Sequence, residues 1–467
     1  MRISSKHPAT KTIQFIDFSG GLNLAVPPEV IANNECVALY NFEFEPSSGV
    51  LKTRDGLEKL GELANPIDSM YYGRNIQQLL VVSDNQLYKY STGTFTLIGS
   101  LSGTKTPIYC EWENKVLIAS GGALQSYDGT TLTTIAGAPN SDYVNVQYGR
   151  VIVSQEGSDY LYWSGVGDET QWDFTSNKAL MLEVGYKDGG NIIAVQMLSR
   201  DIVVFKDNGR IYRVVGPYPD WVVYEVANKV SGLSRLSTTS IGDYLVFLDS
   251  DGVKTLQTVM EYGDLRATSI GDKINKWIVK NTMKDYARLW HSKRKGQVWI
   301  RAQDDKFVYV YHYLLNAWTI FYFKDQCNAL AEDAYNLYVA LGNILYKMND
   351  LIHTDDGESI QSRLITKRLF SNFPFLVKKI KFAYEGLEDG SVNIQINNYY
   401  RNITIQKGGD IAYSDNDIAY LDNDPVVFYN RHESQKRTNF RTPYLQPEIV
   451  VIGAIRFLGL IIEIVEV

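Results

Sequence analysis

The sequence has few of the residues from which disulfide frameworks and metal centres are built. Its 467 residues include only three cysteines and five histidines. The cysteines Cys36, Cys110 and Cys327 are scattered without a C-x-x-C spacing, so they do not predict a disulfide framework. The absence of such a framework fits assembly in a reducing cytoplasm. No metal-ligand spacing connects the histidines, which are His7, His291, His312, His353 and His432.

Sequence motifs of known catalytic sites are also absent. The chain has no G-x-S-x-G, no H-E-x-x-H and no phosphate-binding Walker loop. Asp249, Asp251 and Gly252 resemble part of a calcium loop, but no Glu closes it at the twelfth position, so a hairpin turn is the simpler interpretation. Lys293-Arg294-Lys295 has the charge to contact a phosphate but is typical of an exposed turn. We therefore expect no enzymatic activity, no metal site and no cofactor.

Excess positive charge and long apolar runs are missing as well. The net charge is −7, whereas proteins that grip DNA phosphates are usually basic, so tight nucleic-acid binding is disfavoured. A channel through which DNA slides without binding remains compatible with this negative net charge. The one long apolar run, Ile449 to Val465, carries Arg456 and Glu463 and predicts paired core strands rather than a membrane span. The first residues lack the apolar core of a signal peptide.

What the sequence does contain is a repeat between Ile67 and Asp350. Seven units, each of strands separated by Asp/Asn/Gly turns, recur with a period of about 35 to 49 residues, as expected for propeller blades. The units begin near residues 67, 107, 142, 191, 236, 285 and 327. We predict an all-β protein with a β-propeller at 61–350, of seven blades, with six blades as the alternative.

Three features of the repeat give testable positions. Equivalent second strands should contain Leu80, Ile118, Val203, Leu245 and Trp299. The second blade should have strands at 107–112, 115–120, 123–127 and 131–135. Trp172 should return to cover apolar surface, and 269–281 should form one amphipathic helix capped by Ser269.

The two flanking segments do not follow the repeat. Residues 1–60 form an arm too short to bury its own core, in which Asn34 is a candidate cap for a short helix. We expect the arm to dock outside the propeller and make subunit contacts through Phe15, Phe18 and Leu22, so that its deletion leaves a folded but assembly-deficient protein. Residues 351–467 predict a C-terminal β-domain with strands at 360–370, 377–384 and 392–396.

An acidic insert in this C-terminal domain contains a tandem repeat at 410–424 without Lys or Arg. Its aspartates would repel one another in a packed core, so solvent or a channel is the expected setting. We predict an exposed hairpin or loop at the lumen or tip of a ring; a solvated loop without a role is the alternative. The interface or channel candidates of this insert are Asp410, Asp415, Asp417, Asp422 and Asp424.

The N-terminal segment carries a resemblance. Phe18-Ser-Gly-Gly-Leu-Asn23, then Asn34-Glu35, Asn41 and Gly49-Val-Leu-Lys-Thr-Arg-Asp-Gly56, resembles the opening of tail proteins of short-tailed bacteriophages. The stretch 161–172, and the order of helix, strands, Asn316-Ala-Trp-Thr-Ile320 and terminal β-domain, are similar to the tail nozzle, or packaged-DNA stabilisation protein, of that group.

This resemblance implies a structural virion protein in the tail, assembled in the host cytoplasm. It implies a homo-oligomeric ring, with six subunits expected, below the head-to-tail adaptor and in contact with tail fibre or needle proteins. The ring would retain packaged double-stranded DNA and form its ejection channel, without sequence-specific binding. The alternatives are a propeller lectin for host-surface glycans and a propeller glycosidase, for which a carboxylate pair is required.

Overall fold

The structure is a computed structural model that describes residues 10–45, 49–155, 157–176, 178–230, 234–258, 265–281, 286–303, 306–405, 420–421, 424–425 and 431–466. The chain divides into two compact units. Unit 1 comprises Met1–Glu58, Val310–Tyr322 and Asn349–Val467, and unit 2 comprises Lys59–Tyr309 and Phe323–Met348.

The secondary structure is nearly all strand, as the β-branched and aromatic composition predicts. The strands before the repeat are β1 (Lys11–Phe15), β2 (Gly21–Leu22), β3 (Glu35–Tyr40), β4 (Phe42–Phe44), β5 (Leu51–Thr53) and β6 (Gly56–Glu62). Those of the first three blades are β7 (Ile67–Gly73), β8 (Gln78–Ser83), β9 (Gln86–Ser91), β10 (Thr94–Ser100), β11 (Ile108–Trp112), β12 (Lys115–Ala119), β13 (Gln125–Tyr127), β14 (Leu132–Thr134), β15 (Tyr143–Gln147), β16 (Arg150–Ser154), β17 (Tyr160–Trp163) and β18 (Leu180–Glu183).

The rest of the repeat contains the helix and further strands: β19 (Ile192–Leu198), β20 (Asp201–Lys206), β21 (Arg210–Val215), β22 (Val222–Asn228), β23 (Thr238–Ile241), β24 (Tyr244–Asp249), β25 (Gly252–Thr258), β26 (Leu265–Ser269), α1 (Asn275–Asn281), β27 (Arg288–Ser292), β28 (Gln297–Arg301), β29 (Phe307–His312), β30 (Ala317–Tyr322), β31 (Cys327–Glu332), β32 (Leu337–Leu341) and β33 (Ile344–Asn349). The C-terminal strands are β34 (Thr354–Asp355), β35 (Glu358–Ser359), β36 (Gln361–Thr366), β37 (Leu369–Ile396), β38 (Tyr399–Ile405), β39 (Tyr420–Leu421), β40 (Asp424–Pro425), β41 (Arg431–Leu445) and β42 (Glu448–Glu466).

Unit 2 is a β-propeller. Five four-stranded antiparallel sheets follow one another along the chain: β7–β10, β11–β14, β15–β18, β19–β22 and β23–β26. The second strand of each sheet is an apolar run buried on both faces, as in β8 and β20. Tight turns connect the strands; Asp84 and Asn85, both at positive φ (49° and 60°), form the turn after β8, a geometry that Asp and Asn tolerate.

The sixth blade closes the propeller with a strand from before the repeat. Its sheet has the order β31-β32-β33-β6. The Leu63 amide donates to the Asn343 carbonyl (2.9 Å), and the Ile67 amide donates to the Gly342 carbonyl (2.9 Å). A core cluster joins Ile67 and Met70 of the first blade to residues of the sixth, so apolar burial reinforces the closure.

Counted as separate sheets, the blades number six, which is the alternative count, and the leading count of seven is wrong. The reason is that β27–β30 do not form a sheet of their own: they belong to a 14-stranded sheet. The chain between 288 and 322 is divided between the two units at Tyr309 and Val310. The sequence pattern of that repeat is indistinguishable from that of a blade, because its local strand order is the same.

The predicted equivalence is confirmed for the four residues that lie in blades, whereas Trp299 lies in β28 of the 14-stranded sheet. Leu80, Ile118, Val203, Leu245 and Trp299 all lie in the second strand of their repeat and are all buried. The strands of the second blade begin and end within two residues of the predicted bounds. Trp172 is buried in the core cluster between the second and third blades. The helix is shorter than predicted: α1 begins at Asn275 rather than near Ser269, which ends β26, and Trp277 is exposed while Ile274 and Ile278 are buried.

Unit 1 is built around two long antiparallel strands, β37 and β42. β42 pairs with β37 along most of its length and also with β36 and β1. The apolar run 449–465 is therefore one strand, not the paired strands predicted. Arg456 and Glu463 both lie on its half-buried face, because an irregularity near Gly459 shifts the alternation. Among the described residues, no helix combines the length and the apolar character that a membrane span requires.

The N-terminal arm is part of the core of unit 1. β1 pairs with β42, and β3 pairs with β36 and is parallel to β30. Residues 35–40, where a helix capped by Asn34 was predicted, are strand β3, because their backbone pairs with β2 and β36. Removing residues 1–60 would strip paired strands and buried side chains from unit 1. We therefore expect the deletion to destabilise this unit rather than to leave it folded.

Candidate functional site

The segment that carries the resemblance, residues 18–56 (the motif segment), forms a buried polar network in unit 1. The Glu35 carboxylate is buried and accepts hydrogen bonds from the Asn23 side-chain amide and the Ala32 backbone amide, both at 2.8 Å. Gly20 donates to the Asn34 carbonyl at 3.0 Å. These contacts give a buried carboxylate the partners that it requires, so the polar residues of the motif segment act in folding.

A second part of the network is centred on Arg54, which is fully buried. Its guanidinium pairs bidentately with Asp355 at 2.9 and 2.5 Å, and its Nε donates to the Asn41 side-chain oxygen at 3.1 Å. Asn41 adopts a positive φ of 55° and also donates to the Gln361 carbonyl. The fork geometry of a bidentate pair specifies arginine, since lysine would satisfy only one contact.

Flanking charges complete the same region. Lys52 contacts Glu43 (3.2 Å) and Asp55 (2.6 Å). Burial by itself would lower the pKa of Lys52, but these two carboxylates raise it above its usual value. Arg456 of β42 pairs with Glu45 and Glu385. The motif segment is thereby joined to both long strands of unit 1.

The predicted interface side chains of the arm lie inside the protein. Phe15, Phe18 and Leu22 are between 1% and 5% exposed, and the Phe18 ring meets Phe457 edge-on at 5.1 Å. These three side chains are used in the core of unit 1, so they are not an exposed contact surface, although subunit contacts by other residues of the arm stay a prediction. Of the acidic candidates, Asp410, Asp415, Asp417 and Asp422 lie outside the described residues; Asp424 pairs with Leu421 through the backbone.

The central cavity of unit 2 has a volume of about 150 Å³. Residues of β7, β11, β27 and β31 line it together with residues that precede β11 and β23. Ser69 donates to the Tyr109 hydroxyl at 3.1 Å, and burial raises the pKa of Asp68. Asp68 is the single carboxylate among the lining residues, whereas glycoside hydrolysis ordinarily requires a pair. The cavity therefore does not favour the glycosidase alternative.

The third and fourth blades form a second pocket that sequence reasoning missed (the aromatic pocket). It has a volume of about 160 Å³. Trp163 is its buried floor and stacks on Trp221 at 4.5 Å, while Tyr218 meets Trp221 edge-on at 5.4 Å. Its lining residues are Gln147, Tyr148, Arg150, Trp163, Val166, Leu180, Pro217, Tyr218 and Trp221. The aromatic, proline-containing turn Gly216–Trp221 was the sequence signal that could have indicated it.

Two weak sequence candidates have ordinary structural roles. Asp249 accepts a hydrogen bond from the Asp251 amide and contacts the Lys254 ammonium at 2.7 Å, so a lysine takes the place where a calcium ion was considered. Lys293 and Arg294 form the turn between β27 and β28, and their amides donate to Glu332. The described residues contain no group of three or more His, Cys, Asp or Glu side chains arranged to hold a metal.

Comparisons with known proteins found similarities among solved structures only. No protein-family model matches the chain, and no curated protein sequence matches it. Among solved structures it is similar to BamB from Moraxella catarrhalis (10% identity, TM-score 0.40, covering 65% of this chain and 92% of that one). It is also similar to YCF48 from Cyanidioschyzon merolae (9% identity, TM-score 0.42, covering 63% and 98%) and to the β-propeller domain of Myceliophteria thermophila Cps50 (Swd1) (9% identity, TM-score 0.44, covering 63% and 99%). At these identities and scores the similarities carry no argument about function.

Proposed function

We propose that the protein is a structural subunit of the tail nozzle of a short-tailed bacteriophage. In this role a ring of subunits, six by expectation, sits below the head-to-tail adaptor and contacts fibre or needle proteins. It retains packaged DNA in the virion tail and forms the channel for ejection. The mechanism is steric and involves no catalytic step.

One observation carries the proposal: the motif segment, which resembles the opening of tail proteins of short-tailed bacteriophages in sequence, is used as a structural element. Its residues Asn23, Glu35, Asn41 and Arg54 are buried and hydrogen-bonded to one another or to the C-terminal strands. Polar residues that specify a buried network are those that a family would retain for its fold. The resemblance is therefore one of folding determinants, not of scattered surface positions.

The charge supports the same role. The net charge of −7 disfavours tight binding of the phosphate backbone by the protein. An acidic channel lining would let DNA slide through. We expect the acidic insert at 410–424 to line the lumen or tip.

The test is the oligomeric state with and without a purified head-to-tail adaptor, observed by negative-stain electron microscopy. The proposal predicts six-fold rings, either alone or on the adaptor. A protein that stays monomeric in both samples and binds a glycan array would contradict it and favour the lectin alternative. Turnover of a sugar substrate would favour the glycosidase instead.

A second experiment addresses the channel. Changing Asp410, Asp415, Asp417, Asp422 and Asp424 together to Asn should leave ring assembly intact but slow DNA ejection from reconstituted particles. If both assembly and ejection are unchanged, the insert is a solvated loop without a role in the channel.

A further inference from the structure

The aromatic pocket contains a cation without an acidic partner. Arg150 donates two hydrogen bonds through Nη1, to the carbonyls of Ser164 (2.6 Å) and Lys178 (2.7 Å). Among the described residues no carboxylate forms an ion pair with it. Both of its hydrogen bonds fix the guanidinium through one nitrogen, which leaves donors on Nε and Nη2 at the pocket wall.

The Arg150 guanidinium is half-buried and held by backbone carbonyls. Burial lowers the pKa of Arg150, and charges removed from water are ordinarily paired. In the same unit Arg213 pairs with Asp201, and Arg210 pairs with Glu225 at 3.0 Å. Arg235 and Arg301, by contrast, donate to backbone carbonyls as Arg150 does, but they do not line the aromatic pocket. A guanidinium held by carbonyls beside an open pocket has the geometry to receive an anionic group bidentately.

The rim of the pocket is built from exposed aromatic side chains. Tyr148 and Tyr218 are 45% and 47% exposed. Tyr148 occupies the turn between β15 and β16 at a positive φ of 49°, and the corresponding turns of other blades place Glu113, Ser199 or Gly242 there. Positive φ is therefore the regular geometry of this turn, and what distinguishes Tyr148 is the exposed aromatic ring that it places at the rim of the pocket.

Size and shape limit the ligand. A volume of about 160 Å³ lies below the roughly 300 Å³ at which pockets for drug-sized ligands begin, so the pocket suits one ring and not an extended molecule. Trp163 and Trp221 already stack on each other, so no gap between them remains for a planar base. The ligand must present an apolar ring face to aromatic edges and faces, with polar groups at its perimeter.

We propose that the aromatic pocket binds a single carboxylated sugar ring, such as a uronic acid at the end of a surface polysaccharide. The ring's C–H face packs against Tyr218 and Trp221, and its carboxylate accepts hydrogen bonds from Arg150. This site goes beyond the nozzle role and stands on different residues, so either proposal can fail without the other.

The test uses the full-length protein and small probes: methyl glucuronide, methyl glucoside and a nucleoside monophosphate, with binding followed by ligand-observed NMR. Methyl glucuronide should bind saturably, and methyl glucoside should bind more weakly by roughly ten- to a hundredfold, the range of one charge-assisted hydrogen bond. Equal binding of the two glycosides, tighter binding of the nucleotide, or no saturable binding of the glucuronide would overturn the proposal.

Variants locate the site. Arg150→Gln should remove the preference for the charged sugar, and Trp221→Ala should abolish binding of both. Because Trp221 packs against the floor of the pocket, Tyr218→Ala, at an exposed rim position, provides a second variant that should weaken binding without unfolding. Arg210→Gln removes an arginine of the same unit outside the pocket, and binding should match that of the unchanged protein. A preference for glucuronide that survives Arg150→Gln in folded protein would show that the assignment is wrong.

Discussion

Arg54 and Arg150 are arginines with contrasting surroundings in the two units. Arg54 in unit 1 is fully buried and pairs bidentately with Asp355, and Asn41 accepts a further hydrogen bond from it. Arg150 in unit 2 is half-buried, and its hydrogen bonds go to backbone carbonyls. Since a desolvated charge must be compensated, the first arginine is compensated within the fold, whereas the second has capacity left for an external anion.

This contrast distinguishes residues that specify the fold from residues available for binding. The network of Arg54 ties the motif segment to β34, near the start of the C-terminal part of the chain, so its loss should affect folding. Arg150 lines an open pocket between two blades. Its substitution should therefore weaken ligand binding more than it destabilises the fold. The free energies of unfolding of matched variants test this distinction.

The largest effect is expected for Arg54→Ala. The substitution leaves the Asp355 carboxylate without its cation at a buried position, and breaking such a pair costs roughly 3 to 5 kcal/mol. Thermal or denaturant unfolding of unit 1 should report the loss. The control is Arg210→Ala, whose exposed pair with Glu225 should contribute less than about 1 kcal/mol. Equal effects of the two substitutions would remove the distinction between folding and surface arginines.

Unit 2 also contains a compensated buried cation, Lys206, which contacts Asp188 at 2.6 Å. Burial alone would raise the pKa of Asp188, but Lys206, the Gly190 amide and Tyr212 lower it to about 2. With an unfolded-state pKa of about 3.9, this carboxylate stabilises the fold above that pH, and the contribution is lost as pH falls toward about 2.

We therefore expect Asp188→Asn to lower the free energy of unfolding near pH 7 by roughly 2 to 3 kcal/mol. The difference between the variant and the unchanged protein should shrink as the pH of denaturant titrations falls from 5 to about 2. A difference that is constant across this range would mean that the ionised form of Asp188 is not what stabilises unit 2.

Substitution of a glycine in the motif segment should have the next largest effect on stability. Gly21 adopts a φ of 64°, and a Cβ there would lie 2.7 Å from the Trp318 backbone nitrogen. Gly21→Ala should thus cost roughly 1 to 3 kcal/mol through backbone strain, with crowding in addition. Gly167 has nearly the same φ, 66°, and nothing within 4 Å of its Cβ position, so Gly167→Ala isolates the strain. If the two substitutions lower the unfolding temperature by the same amount, close packing around Gly21 does not contribute to stability.

The repeat could be predicted from sequence because each blade is local. Strands such as β11 and β12 are joined by short turns, and the period of apolar runs and Asp/Asn/Gly turns marks them. The assignment of β27–β30 to a larger sheet depends on pairing with strands far away in sequence, so no local pattern distinguishes it from a blade. The same reason explains why Glu35–Tyr40 was interpreted as a helix: its partner, β36, is more than 300 residues distant.

The motif segment and the aromatic pocket also depend on contacts that no local sequence pattern indicates. The motif segment was singled out by its polar residues and glycines, but the partner of Arg54 is Asp355, which no spacing in the sequence indicates. The aromatic pocket combines Tyr148 and Arg150 from the β15–β16 hairpin with Tyr218 and Trp221 from the next blade. Each turn is unremarkable alone, and the geometry arises only when neighbouring blades pack.

The smallest effect on stability is expected for Arg150→Ala. The substitution removes hydrogen bonds to the carbonyls of Ser164, which is buried, and Lys178, which is exposed so that water can replace the guanidinium there. It leaves no buried carboxylate behind. A loss of about 1 kcal/mol is expected, well below that of Arg54→Ala, and it should not depend on pH near neutrality, since arginine stays protonated. Denaturant unfolding of unit 2 measures it, with Arg210→Ala again as the surface reference. A loss comparable to that of Arg54→Ala would mean that Arg150 holds the 164–178 loop in the fold, and its hydrogen bonds to Ser164 and Lys178, not a ligand, would then account for its burial.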